Sequence, residues 1–253
     1  MVSSEFPLNQ HPYWVAGHSH IEGDNIILDK ESAEEYSIVH SERRPALLAD
    51  LANLRGCEPR DVVGFVGRHG LLWHGPEELR GGTCLELLSD WRHEVYHLRL
   101  TIHFWLLLKL AQETGTAQPV RNFLRRLREP DIDHFYAPIP DNDEDCLETV
   151  SLLLAERITD GMKGCSWTLV AECTLAREGV PEVGATDFAF GEDPPSLVAA
   201  AYVQVATRIA NKVAFCECEG CGTLFTPGHS SQKFCNPRCN ARMRKARQRA
   251  KED

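Results

Sequence analysis

The sequence predicts a mainly α body with a few short strands over residues 1–210, followed by a small cysteine-centred module at 211–253. Three observations carry that division. Apolar residues recur at three- and four-residue steps through several stretches of the first part, as core-facing helices require. Five of the ten cysteines fall between Cys216 and Cys239. The charge also changes sign: residues 1–210 hold 18 Lys and Arg against 33 Asp and Glu, a net −15, whereas residues 211–253 hold nine against four, a net +5. The overall charge of −10 therefore hides an acidic body carrying a basic tail.

The elements follow in order. Tyr13-Trp14-Val15 and Asn25-Ile26-Ile27-Leu28 read as short strands. Pro45 to Leu54 has helical apolar spacing, with Pro45 suited to a first turn and Gly56 just past the end. Asp61 to Phe65 reads as a short helix closing at Gly67 or Gly70. Ser89 or Asp90 is placed to cap a long helix reaching Thr114, stopped by Gly115, with Val95, Leu98, Ile102, Trp105 and Leu106 as its core stripe. Pro119 to Leu127 is a short basic helix, and 129–146, rich in Pro and Asp, is a loop. Helices follow over Leu147–Ile158 and Pro195–Asn211, with strand or helix at Ser166–Thr174 and loop at Gly179–Pro195 between them.

With 43 % hydrophobic and 25 % charged residues, the chain is a packed globule rather than a disordered one. The most apolar stretch, Leu98–Leu110, is interrupted by Arg99, His103 and Lys109, so no segment reads as membrane-spanning. The N-terminus has neither a basic n-region nor an apolar h-region, so a cytoplasmic protein without a membrane partner is expected.

In that setting clustered cysteines point to metal rather than to disulfides. Cys218-Glu-Gly-Cys221 and Cys235-Asn-Pro-Arg-Cys239, thirteen residues apart, can supply four thiolates to one tetrahedral Zn²⁺, a closed structural site. Cys216 is a spare that could replace Cys218 as first ligand. Asn236 can cap a helix, Pro237 suits its first position, and Cys239 then lies in its first turn facing the metal. Along this helix Cys239, Met243, Ala246 and Ala250 form an apolar stripe. Arg238, Arg242, Lys245 and Arg249 run along one side of it, and Asn240, Arg244, Arg247 and Lys251 along the other. Phe225 and Phe234 are the expected apolar plugs beside the metal. The fold class is thus a mainly α body plus a treble-clef-like four-cysteine zinc finger. The scattered Cys57, Cys84, Cys146, Cys165 and Cys173 read as buried free thiols.

The run C-E-G-C-G-T-L-F followed by Q-K-F-C-N-P-R-C-N-A-R-M-R-K-A-R-Q-R resembles the CGNR-type zinc finger. That finger closes bacterial, especially actinobacterial, proteins proposed as stress-related transcription regulators. Asn240 and Arg242 sit where the family has Asn-Arg, and this chain reads Cys239-Asn240-Ala241-Arg242 in place of the Cys-Gly-Asn-Arg string. Upstream, Phe65–Leu72, Trp91-x-x-Glu94 and the Pro195–Asn211 helix are similar to the companion helical domain. The resemblance implies DNA binding.

The charges give the same expectation independently. A helix of about 13 residues is about 20 Å long and can lie along a major groove. Arg238, Arg242, Arg244, Lys245, Arg247 and Arg249 would neutralise phosphates, and sequence specificity would need Asn240, Gln248 or individual arginines to reach base edges. DNA is the expected partner, with RNA or a protein as alternatives.

A competing enzyme reading comes from His93-Glu94-Val95-Tyr96-His97, which matches the zinc-peptidase string H-E-x-x-H. His103 occupies the third-ligand position of the longer pattern, but Leu100 replaces the glycine that breaks the helix there. On a continuous helix His103 lies about 9 Å beyond His97 and about 120° away around the axis, so no catalytic residue is assigned. His18, His20, His69 and His74 have no evident partner, and His229 finds no vacancy beside four cysteines. Asp141, Asp143, Glu144 and Asp145 read as a solvated acidic turn, lacking the glycine and terminal glutamate of a Ca²⁺ loop.

Overall fold

A computed structural model describes residues 13–37, 44–74, 84–127, 140, 142–163, 165, 194–213, 215–229 and 231–252, together with four two-residue strands. In chain order these are β1 (Tyr13–Ala16), β2 (Ser19–Glu22), β3 (Asn25–Leu28), β4 (Glu34–Ser37), α1 (Arg44–Ala52), α2 (Pro59–His69), β5 (Leu85–Leu87), α3 (Leu88–Thr114), α4 (Gln118–Leu127) and α5 (Asp143–Gly161). Four two-residue strands follow, β6 (Thr168–Leu169), β7 (Thr174–Leu175), β8 (Pro181–Glu182) and β9 (Phe188–Ala189). The chain then forms α6 (Leu197–Ala210), the hairpin β10 (Cys216–Glu217) and β11 (Leu224–Phe225), and α7 (Pro237–Glu252). A mainly α body with short strands and a small four-cysteine module is therefore what the chain adopts.

The 27-residue α3 is the axis of the body, with α1, α4, α5 and α6 packed around it. The expected stripe is buried at Val95, Leu98, Ile102 and Trp105, but Leu100 and Phe104 on another face are buried as well. A helix surrounded by neighbours is apolar on more than one side. Its start differs from expectation: Ser89 and Asp90 lie inside the first turn, and α3 runs directly out of β5 with no side-chain cap. Gly115 ends it as predicted. The first turn of α5 also corrects the sequence reading. Asn142 Oδ1 accepts from the Asp145 N–H at 2.8 Å, so Asp143, Glu144 and Asp145 belong to a helix start where acidic groups meet the positive dipole end. Asp143 also accepts from the Ala117 N–H at 3.1 Å and pairs with Arg121, tying α5 to α4.

Antiparallel β1–β4 and β2–β3–β5 pack on the α2 side of this assembly. Strands β2, β4 and β5 have no clear signal in the sequence, being short and polar on one side. Glu86, at the centre of β5, points inward and is 3 % exposed. Its carboxylate accepts from the backbone N–H groups of Leu72, Trp73 and His74 at 2.9, 2.6 and 3.1 Å, and from Trp91 Nε1 at 2.7 Å. His74 Nδ1 lies a further 3.0 Å away. One buried carboxylate thus fixes the turn after α2 against the start of α3. Similarly, buried His69 meets Asp50 Oδ2 at 2.8 Å, and this bond, with Arg68 beside it, holds the Asp50 carboxyl below its usual range. His69, His74 and His20, which lies 3.3 Å from Glu22, all have carboxylate partners that the sequence did not disclose.

The expected free thiols Cys57, Cys84 and Cys146 are buried and Cys165 is half-buried; Cys173 lies outside the described residues. Burial pushes the Cys57 thiol up to about 11, keeping it neutral. Most of the 129–146 loop, the Ser166–Thr174 stretch and the Gly179–Pro195 stretch also lie outside the described residues.

Candidate metal centre and basic helix

The knuckle begins where β10 ends. The Cys218 N–H donates to the Thr223 carbonyl at 2.9 Å and the Gly222 N–H to the Cys218 carbonyl at 2.7 Å, a tight turn completed by Gly222 at φ +65°. The Glu219 N–H donates to the Lys233 carbonyl at 3.0 Å, bringing the second cysteine pair alongside. Asn236 then caps α7, its Oδ1 accepting from the Cys239 N–H at 3.0 Å. Knuckle and helix approach so closely that a Cβ on Gly220 would lie 3.1 Å from the Cys239 Cβ.

These local bonds bring the Sγ atoms of Cys218, Cys221, Cys235 and Cys239 within 4.8 Å of one another. Cys221 and Cys235 are 3.6 Å apart, and Cys235 and Cys239 3.8 Å. A disulfide needs about 2.05 Å. Thiolates about 2.3 Å from a tetrahedral Zn²⁺ lie about 3.8 Å from each other. The spacing is that of a metal centre. Among the described residues this is the one group of three or more His, Cys, Asp or Glu so assembled. Thr223 Oγ1, 3.1 Å from Cys221 Sγ, helps pull that thiol down to about 6, while burial and the neighbouring thiols push Cys235 up to about 12. Four such groups cannot all ionise without a cation among them. Cys216 stands outside the cluster, paired with Phe225 in the hairpin, so Cys218 is the first member.

The expected plugs Phe225 and Phe234 are only half-buried; Phe215 and Leu224 are the buried apolar residues of this region. Both face the body. Phe215 meets Trp105 edge-on at 5.8 Å, with Arg208 over its ring at 4.4 Å. Leu224 is held at its backbone by Asn53, whose amide donates to the Leu224 carbonyl at 3.0 Å and accepts from its N–H at 2.8 Å. This clamp from the end of α1 is invisible in the sequence, where Asn53 reads as a helix-end residue 171 positions away.

The basic residues of α7 divide in two. Arg242 donates to the Gly220 carbonyl, and Arg247 pairs with Glu219 at 3.2 Å, so both fasten the helix to the knuckle. Arg238, Arg244, Lys245 and Arg249 are exposed and make no ion pair or side-chain hydrogen bond to a described residue. The Asn240 side chain is equally unengaged. Beyond half-buried Met243 the helix is exposed at every residue from 244 to 249, projecting past the knuckle.

The H-E-x-x-H residues lie elsewhere, on α3. His93 and His97 share a face, with ring centroids 4.1 Å apart. His97 Nδ1 faces the Arg157 guanidinium, which can only donate, so that nitrogen is an acceptor. Glu94 is raised by burial and bonded to Tyr202, which in turn bonds Thr101. His103, on the same unbroken helix, stacks on Phe123 at 4.7 Å and does not join them.

No protein-family model, curated protein or solved structure matches this chain. Among the described residues no helix is long and apolar enough to cross a membrane.

Proposed function

We propose that the chain is a zinc-stabilised nucleic-acid-binding protein, a DNA-binding transcription regulator of the bacterial CGNR kind that its finger resembles. Cys218, Cys221, Cys235 and Cys239 hold one structural Zn²⁺, since four thiolates in a closed tetrahedral set suit that ion and leave no open position for catalysis. The observation that carries the reading is the fastening of α7 to this centre. Arg242 and Arg247 lock the helix in place, while Arg238, Lys245 and Arg249 form an exposed cationic row along one side. A rigidly mounted row of this kind presents charge to successive phosphates of a duplex. The acidic body then serves as sensor or partner platform, coupled to the finger through Asn53 and Phe215.

The test is duplex-DNA binding by the zinc-loaded chain across a salt series, for wild type and for Arg238→Ala/Lys245→Ala/Arg249→Ala. The expected result is weaker binding with a log–log salt slope smaller by about 2 to 3. Absence of binding by wild type at low salt, or an unchanged slope in the triple variant, overturns it.

A further inference from the structure

The other side of α7 carries a feature that phosphate binding alone does not use. Between residues 231–236 and the start of the helix lies an open cavity of about 480 Å³, lined among others by His229, Lys233, Phe234 and Asn240. That volume falls within the ~300–1,000 Å³ of small-ligand clefts. Phe234 is half-buried and held by the finger's own fold, its carbonyl accepting from Gln232 Nε2 at 3.0 Å. It is an aromatic surface that does not collapse into a core. Asn240 contributes a side-chain amide with no described partner, offering one acceptor and two donors. Lys233 is the one permanent cation in the lining, and it is already paired with Glu219 at 3.1 Å. A mixed aromatic and amide lining suits a flat, hydrogen-bonding, uncharged group better than it suits a phosphate.

A route for the attached backbone leads away from the cavity. Asn240 and Arg244 are one helical turn apart on the same face, and Arg247, paired with Glu219, follows three residues on. An aromatic wall with an adjoining cationic track is the arrangement by which proteins hold unstacked bases.

We propose that this cavity receives one unpaired nucleobase of a DNA strand, stacked against Phe234 and hydrogen-bonded at its edge by Asn240, with the neighbouring phosphates on the Arg244 side of α7. The proposal rests on the nucleic-acid reading above and adds that the preferred target contains an unpaired base.

The test compares three DNA probes by fluorescence anisotropy with the zinc-loaded chain: a blunt 20-base-pair duplex, the same duplex with one bulged base, and a single strand of equal length. A second bulged probe carries 2-aminopurine at the bulge. Wild type is expected to bind the bulged duplex at least about 5-fold more tightly than the blunt one, with a change in 2-aminopurine emission, since stacking on a protein ring is worth that much or more. Asn240→Ala and Phe234→Leu are expected to erase the emission change and bring the bulged-to-blunt affinity ratio down to about one. Should Phe234→Leu lose its zinc, Asn240→Ala decides alone. Equal wild-type affinity for blunt and bulged duplexes overturns the base pocket and leaves DNA binding standing, as does a preference that Asn240→Ala retains. No binding to any probe at low salt overturns both.

Discussion

Glu86 in the body and the four cysteines in the finger are both compact polar clusters, and they differ in what completes them. The Glu86 carboxylate receives three backbone N–H groups, the Trp91 indole and the His74 ring, all from the same chain. Its charge is satisfied by donors that the fold supplies. The four thiols have a few hydrogen-bond donors and no counter-charge within the cluster. Only an added cation allows them to be four thiolates at these distances. The apolar core around α3 runs on through Phe215 and Leu224, while the cysteine knuckle beyond them has no such burial, so the expectation is a body held by its own core and a knuckle held by a bound metal.

The sharpest way to break that comparison is to remove the metal, because structural zinc contributes ~10–16 kcal/mol in finger peptides. A strong chelator, or Cys235→Ser, is expected to abolish amide-exchange protection in the 216–252 segment while α1 to α6 stay protected. Hydrogen exchange by mass spectrometry resolves the two. Collapse of protection throughout the chain would show that the body leans on the finger.

Next in size is Glu86→Ala. It strands the buried Leu72 N–H and Trp91 indole and the part-buried Trp73 and His74 N–H groups, and losing one side of such a cluster costs about 3–5 kcal/mol. Denaturant unfolding should show that loss in the body while the metal content of the chain matches that of wild type. A loss under about 1 kcal/mol would mean that water replaces the carboxylate, contrary to its burial.

The two clusters were unequally legible from sequence, for a physical reason. Metal ligands sit close in the chain, so C-x-x-C and C-x-x-x-C report their geometry directly, and Asn236-Pro237 announced the helix start. Glu86 and Asn53 act on residues brought to them by the fold, across 12 to 14 and 171 positions, and nothing in their neighbours marks them. Helices with strong periodicity, such as Pro119–Leu127 and Pro195–Asn211, were found within about two residues. Two of the three strands of the β2–β3–β5 sheet were missed because β2 and β5 gain their order from pairing with β3 rather than from their own pattern. H-E-x-x-H shows the converse: a local string whose residues the fold commits to Arg157 and Tyr202.

A smaller effect tests the coupling between the regions. Asn53→Ala removes both hydrogen bonds to Leu224, leaving its N–H and carbonyl without those partners, a cost of about 1–3 kcal/mol to docking of the finger. The four thiols are positioned by bonds within residues 218–239, so metal affinity is expected to change little while exchange at Leu224 and around Phe215 quickens. Lower zinc affinity of more than about tenfold would mean that the body helps to build the metal centre.

The mildest change concerns Glu219, which pairs with Lys233 at 3.1 Å and with Arg247 at 3.2 Å. The partners are exposed, so the pairs themselves stabilise the finger by at most about 1 kcal/mol. Their effect on a polyanion is larger in proportion, since Glu219 offsets one positive charge on the side of α7 that carries Asn240 and Arg244. Glu219→Gln keeps the shape and a hydrogen-bonding side chain but removes that charge. Affinity for DNA at low salt should then rise a few-fold, and the salt slope should steepen by no more than about 1. An isolated loss of Arg247 restraint would instead loosen α7 and weaken binding. Salt titrations of Glu219→Gln beside Arg247→Ala separate the two: gain in the first with loss in the second identifies Glu219 as an electrostatic brake on binding, and loss in both identifies it as a strut for the helix.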